Sequence, residues 1–251
     1  MGTLAIDIET ASPFSEPPTG VNETEYFEWL AIAVGFRDGP DSEIVSEVLF
    51  RQGPWDQTHT ADLFDRFFEW CDGRQIERTL TYNGDWFDLK HLGNWAIQLN
   101  ETGVRNDTYT ELRRLMSTHV DLAHAASEKH ADELWDSQRI LPLWKTCTLE
   151  SVPEERVWYA DYDLSEPYLS GLNIGDRHVK GEHVGRSLGE QYIDGLSAGI
   201  EDTLTHRELE RLLDDYARGD VDVLFGLYDS LGGDRLDETY NFPFENAGHR
   251  R

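Results

Sequence analysis

Apolar residues in the first fifty positions fall in short runs, not at helical spacing. Residues 4–8, LAIDI, are apolar apart from Asp7 and predict a strand over 3–8. Residues 12–24, SPFSEPPTGVNET, carry three prolines and a glycine and predict a loop. A second strand follows over 29–36, WLAIAVGF. The turn Asp38-Gly39-Pro40 then leads to a third over 44–50, IVSEVLF. Three such runs joined in sequence predict an antiparallel meander. The period then changes. Leu63, Phe64, Phe67, Phe68 and Cys71 lie on one face of a helix over 61–71. A short strand is predicted over 80–82. A helix over 87–98 follows, burying Leu89, Leu92 and Trp95.

The middle of the chain is less periodic. A short strand is predicted over 120–122, and the pattern over 127–142 is mixed. A helix starting over 148–152 is limited by Pro153. Residues 158–185 are rich in turn formers and predict an insertion or a long loop over one end of the sheet. Helical spacing returns over 187–196. Thr205 and Glu208 then have the spacing of a capping box. It opens a long helix marked by Leu209, Leu212, Leu213, Tyr216, Val223, Leu224 and Leu227. From Gly232 the chain is polar. No repeat or linker divides it, so the expectation is one α/β domain over 1–230 with a polar tail over 231–251.

At 251 residues, 39% hydrophobic and 12% aromatic, the chain suffices for one large domain. No apolar stretch approaches bilayer-spanning length. The N-terminus lacks a basic segment followed by a long apolar run, so a cytoplasmic location is expected. Cys71 and Cys147 have neither metal-ligand spacing nor a disulfide pattern. The net charge of −27 is the outlying bulk property, and the only lysines are Lys90, Lys129, Lys145 and Lys180. The acids are interleaved with apolar residues, which opposes disorder. Such a composition fits a halophilic protein built for multimolar salt, where the Debye length is about 3 Å or less. Net charge then says little about the substrate. A basic partner is the alternative.

Asp7 and Glu9 change the picture. Strand residues two apart share a face, so two carboxylates would lie side by side on an otherwise apolar strand. Each raises the other's pKa, and a divalent cation relieves the conflict. A solvated edge strand is the alternative. Asp88 stands where a strand gives way to a helix, after an Asn83-Gly84 turn. Phe87 and Leu89 bracket it, whereas Asp85 in the same turn is expected to be exposed. A plain helix-capping role for Asp88 is the competing reading. Tyr216 and Asp220 are four apart and share a helical face. Asp222 offers a second register, and Asp214 and Asp215 face solvent. Together these acids suit phosphodiester hydrolysis with two divalent ions roughly 3.5–4 Å apart. Mg2+ or Mn2+ fits an all-oxygen site. Tyr216 would orient water; a phenol with a free pKa of about 10 is a poor base.

The segments DIE at 7–9, YNGDWFD at 82–88 and the Tyr216-x-x-x-Asp220 pair resemble the three exonuclease motifs of the DnaQ-like, or DEDD, 3′–5′ exonucleases. The tyrosine resembles that of the DEDDy branch. The YNG-x-x-FD form is similar to the predicted ribonuclease H-like domains of the YprB type, and HVDLAH at 119–124 and CTLESV at 147–152 follow in the same order. The resemblance covers about residues 1–230. It implies a ribonuclease H-like fold: a five-stranded mixed sheet flanked by helices, its first three strands an antiparallel meander. It also implies metal ligands at Asp7, Glu9, Asp88 and Asp220, a water-orienting Tyr216, and a contact to substrate or ligands from Asn83. The implied activity is two-metal hydrolysis of single-stranded DNA or RNA from the 3′ end. A structure-specific endonuclease, a non-catalytic nucleic-acid-binding or interaction domain, and a small-molecule phosphoesterase remain alternatives.

Overall fold

The computed structural model describes residues 2–135 and 138–241. The meander is β1 (Gly2–Ala11), β2 (Glu28–Arg37) and β3 (Val45–Phe50), each pair antiparallel. α1 (Gln57–Cys71) follows, its first turn capped by Asp56, which accepts the His59 N–H. Then come β4 (Ile76–Thr81), α2 (Asp88–Thr102), α3 (Thr108–Leu115) and β5 (His119–Asp121). β4 lies parallel to both β1 and β5, so the order across the sheet is β3-β2-β1-β4-β5. This five-stranded mixed sheet flanked by helices is the ribonuclease H-like topology. The helices continue with α4 (Leu122–Lys129), α5 (Leu143–Glu150), α6 (Glu166–Gly171) and the single turn α7 (Gly181–His183). A π-turn over Val184–Leu188 leads into α8 (Gly189–Ser197), then α9 (Leu204–Leu231) and α10 (Arg235–Tyr240).

The sheet separates two cores. Leu4, Ile6 and Ile8 of β1 point to one face, where Phe64 and Phe67 of α1 and Leu92 of α2 cover them. Ala5 of β1 and Ala31 and Ala33 of β2 point to the other, packed with Leu213, Ala217 and Leu224 of α9. β1 is central and almost wholly buried, which is why it reads as a continuous apolar run. Within 158–185, Tyr159, Tyr162, Leu164, Ile174 and Val179 join the α9 core. No described helix is long and apolar enough to cross a membrane.

Several expectations shift. β4 begins four residues earlier than the 80–82 run, because Arg78 is buried against Asp234 and Asp237 instead of facing solvent. The same ion pairs hold α10, with Leu236 buried, in the region expected to be a tail; residues 242–251 lie outside the described ones. The cap of α9 is Thr203, whose hydroxyl accepts the His206 N–H; the Thr205/Glu208 box is not formed. A cap at 203 puts His206 at the third helical position, and Glu208 instead accepts the Asp163 N–H and pairs with Arg211.

α9 meets β2 at Gly35. A Cβ there would lie 2.8 Å from Val221 Cγ1 and 2.9 Å from Phe225 Cε2. Gly35→Val is therefore expected to push α9 off the sheet and cost about 1–3 kcal/mol through overpacking. A urea-unfolding midpoint equal to wild type would show that the helix yields freely.

Candidate metal centre

β1 carries Asp7 and Glu9 on the face turned to α9, opposite Ala33 and Ala31 of β2. These methyl-sized neighbours leave room above the strand for carboxylates and for the helix. After Glu9 the pairing slips by one residue, so Thr10 faces Trp29 and Leu30 is the extra residue. Such bulges bend the strand and recur beside active sites. α9 brings Asp220 over this surface. Ligand atoms of Asp7, Glu9 and Asp220 all lie within 4.8 Å of one another. The alternative of a solvated edge strand is not formed: Glu9 is buried and Asp7 is half-buried.

Asp88 arrives by another route. β4 pairs with β1 only as far as Ala5 opposite Leu80, so the Ile8 N–H lies beyond that ladder. Asp88 Oδ1 accepts it at 2.9 Å. Asp88 is the first residue of α2 and is buried. It stands outside the trio gathered within 4.8 Å, yet its charge raises both Asp7 and Glu9.

The turn before α2 is held by a residue that spacing alone did not single out. Asp121, fully buried at the end of β5, accepts the N–H groups of Asn83 at 2.7 Å and Asp85 at 3.0 Å, and caps α4 through Ala123. Asn83 sits in the left-handed region (φ 62°), which asparagine tolerates. Gly84 follows because a Cβ there would lie 2.2 Å from Thr81 Oγ1. Asp85, expected exposed, is half-buried and meets His124 Nε2 at 3.1 Å.

Tyr216 lies one turn before Asp220 on α9. Its hydroxyl reaches Asp220 closely enough to draw that carboxyl's pKa down. Gly181 of α7 passes over it: a Cβ at 181 would stand 3.4 Å from the hydroxyl.

Burial is the largest influence on every group here. It pushes Asp7 and Glu9 well above the usual carboxylate range, and the neighbouring acids add to it. Burial pushes Asp88 up to about 7 against the opposing Ile8 hydrogen bond. It pushes Asp220 up to about 7 as well, with Glu154 the next contributor. Tyr216 is raised far above the ordinary phenol range by burial and then by Glu9, Asp220 and Asp7, so it stays protonated at any physiological pH. Among the described residues, the influences on the four carboxylates are burial, other acids and hydrogen bonds, with no cationic side chain. A set of crowded oxygen donors with no counter-charge fits a hard divalent cation.

Two further groups have ligand atoms equally close. Asp85, Asp121 and His124 form one, but Asp121 is already engaged by three backbone amides. Asp176, Glu182 and His183 form the other, where Lys180 at 2.9 Å from Asp176 supplies a charge. The trio on β1 and α9 is the one without such compensation.

Two cavities open beside the trio. One of about 470 Å³ has Tyr216 and Asp220 in its lining, and one of about 310 Å³ has Glu9 and Gly181. A larger one, about 730 Å³, lies away from these acids, between α1, α2 and residues 23–28. Glu154 lines the 470 Å³ cavity, and sequence spacing gave no sign of it. It follows α5 in a stretch without periodicity, and only the fold brings it to Asp220.

No protein-family model and no curated protein matches this chain. Among solved structures, the family B DNA polymerase from the hyperthermophilic archaeon Pyrobaculum calidifontis is similar over all of this chain and 27% of its own, at 17% identity and a TM-score of 0.49. This chain thus spans about a quarter of that polymerase. The fold and its carboxylate and histidine clusters are consistent with a metal-binding, nuclease-type site.

Proposed function

We propose that the protein is a metal-dependent 3′–5′ exonuclease of the DEDDy type, hydrolysing single-stranded DNA or RNA. One observation carries this: ligand atoms of Asp7, Glu9 and Asp220 lie within 4.8 Å of one another, with Asp88 bonded to the backbone of the same strand and the Tyr216 hydroxyl against Asp220. Asp7, Glu9, Asp88 and Asp220 would hold Mg2+ or Mn2+, two ions by preference. Bound ions supply the Lewis-acid charge that phosphodiester hydrolysis needs. Within this chain, the Tyr216 hydroxyl gives its proton to the bond with Asp220, and its oxygen can accept a hydrogen bond from water and so orient it beside the carboxylates. Asp121 fixes the 83–85 turn that leads to Asp88. Asn83 is kept as a lesser substrate contact.

A second reading has an observation of its own. Cavities lie on both the Glu9 side and the Asp220 side of the acids, and cutting inside a strand needs room for nucleotides on both sides of the site. Incubation of end-labelled linear and covalently circular single strands with Mg2+ or Mn2+ separates the two. Mononucleotides released from linear strands alone support the exonuclease. Nicking of circles contradicts it, and no hydrolysis of either strand removes both. The acidic composition is further proposed to suit the protein to multimolar salt, and a cytoplasmic location remains part of the proposal.

A further inference from the structure

The 470 Å³ cavity has a second wall that the chemistry above leaves unused. Besides Tyr216 and Asp220 it is lined by Trp144, Arg156, His178 and Lys180. We propose that this wall is the track that grips the single strand next to the metal centre, with Arg156 on a phosphate and Trp144 under a base. The proposal rests on the nuclease reading of the carboxylates.

Cations are scarce in this chain, and the lysines are committed. Lys90, Lys129, Lys145 and Lys180 each lie in an ion pair. Arg156 is exposed in the cavity wall and makes no ion pair among the described residues; its charge reaches Glu154 at longer range. An uncommitted guanidinium beside an acidic centre is suited to a phosphate, which it can bind through two parallel N–H donors. Glu154 and Glu155 share the lining, and Glu154 acts on Asp220 and Tyr216, so it belongs to the metal side of the cavity.

Aromatic surface accompanies the charge. Trp144 on α5 is 52% exposed and Trp158 is 42% exposed. Trp158 meets His178 edge-on, ring centroids 5.8 Å apart, and their backbones form an isolated bridge. That bridge ties the start of the 158–185 segment to its later part and keeps His178 and Lys180 in the wall. An exposed indole beside a free guanidinium is the combination that holds single strands without reading sequence. The cavity volume lies within the range of about 300–1,000 Å³ typical of ligand clefts. Stacking and a two-pronged arginine also survive high salt better than a point charge does.

The test compares Arg156→Ala and Trp144→Ala with Arg114→Ala, an exposed arginine of α3 outside this cavity. The probe is a fluorescent oligodeoxythymidine of about 15 nucleotides, the upper range for one binding module. Steady-state hydrolysis in Mg2+ should show KM raised about tenfold in each wall variant, with kcat much less changed, as loss of about 1–3 kcal/mol of stacking or phosphate contact implies. Arg156→Lys should recover part of the loss. Anisotropy with the Asp7→Asn protein, with and without the wall substitutions, reads strand binding without chemistry. KM and binding equal to those of Arg114→Ala would overturn the track. No hydrolysis by wild type would instead overturn the nuclease reading, and full hydrolysis by Asp220→Asn would overturn its assignment to these carboxylates; in either case the binding arm would still judge the wall.

Discussion

Asp220→Asn is expected to reduce hydrolysis of single strands in saturating Mg2+ or Mn2+ by about a thousandfold or more, while the metal-free protein becomes more stable. The first half follows from the donor set. Asp220 is one of three residues whose ligand atoms lie within 4.8 Å, and an amide removes charge from the place where a cation would sit. Loss of several kcal/mol of transition-state stabilisation is a factor of about 10³ at 1.36 kcal/mol per tenfold. Tyr216→Phe should lose less, because the ring still packs and only the orienting hydroxyl goes. Equal losses would assign the hydroxyl a larger role.

The second half follows from the raised pKa. An unfolded aspartate ionises near about 4, whereas burial and Glu154 push folded Asp220 to about 7. Its contribution to stability is complete below about 4 and is lost as pH rises through about 7, since the unfolded chain releases the proton first. Asparagine carries no such burden. At pH 8 without divalent ions the variant should melt above wild type, by about 2–4 °C for each kcal/mol relieved. Added Mg2+ should raise wild type more than the variant. A variant that melts lower at pH 8 and higher only near pH 4 would reverse the sign and contradict the electrostatic account.

Unfolding on dilution from molar KCl is the second large effect expected. The net charge of −27 is spread along the chain, with 22 basic residues against 49 acidic ones. Near 0.1 M salt the Debye length is about 10 Å, long enough for neighbouring acids to repel one another; near 1 M it is about 3 Å. Circular dichroism from molar to low KCl should show loss of helix and a falling melting temperature. The same ellipticity and melting temperature throughout would contradict salt adaptation and leave a basic partner as the explanation for the acidity.

The parts of this molecule legible in its sequence are those governed by local period. The meander was visible because β1 to β3 are apolar runs bounded by a proline-rich loop and a tight turn. The closeness of Asp7 and Glu9 follows from the two-residue repeat of a strand, and the Tyr216–Asp220 pairing from the helical turn. What was not legible depends on distant partners. Arg78 enters β4 only because Asp234 and Asp237 neutralise it. Asp121 looked like part of a short strand, yet it accepts two backbone hydrogen bonds that organise a turn nearly forty residues earlier in sequence, and a third that caps α4. Glu154 and Arg156 have no periodic neighbours, and only the packing of α5 on α9 sets them beside Asp220. The spacing of Thr205 and Glu208 pointed to the wrong cap: Thr203, with His206 and not an acid three residues on, carries no capping-box signal, yet it starts the helix.

The most direct measurement of the central claim is anomalous scattering from crystals soaked in Mn2+. The account predicts density among Asp7, Glu9, Asp88 and Asp220, at metal–oxygen distances of about 2.0–2.6 Å, lost in Asp7→Asn. Manganese confined to Asp85, Asp121 and His124, or bound nowhere at saturating concentration, would contradict it.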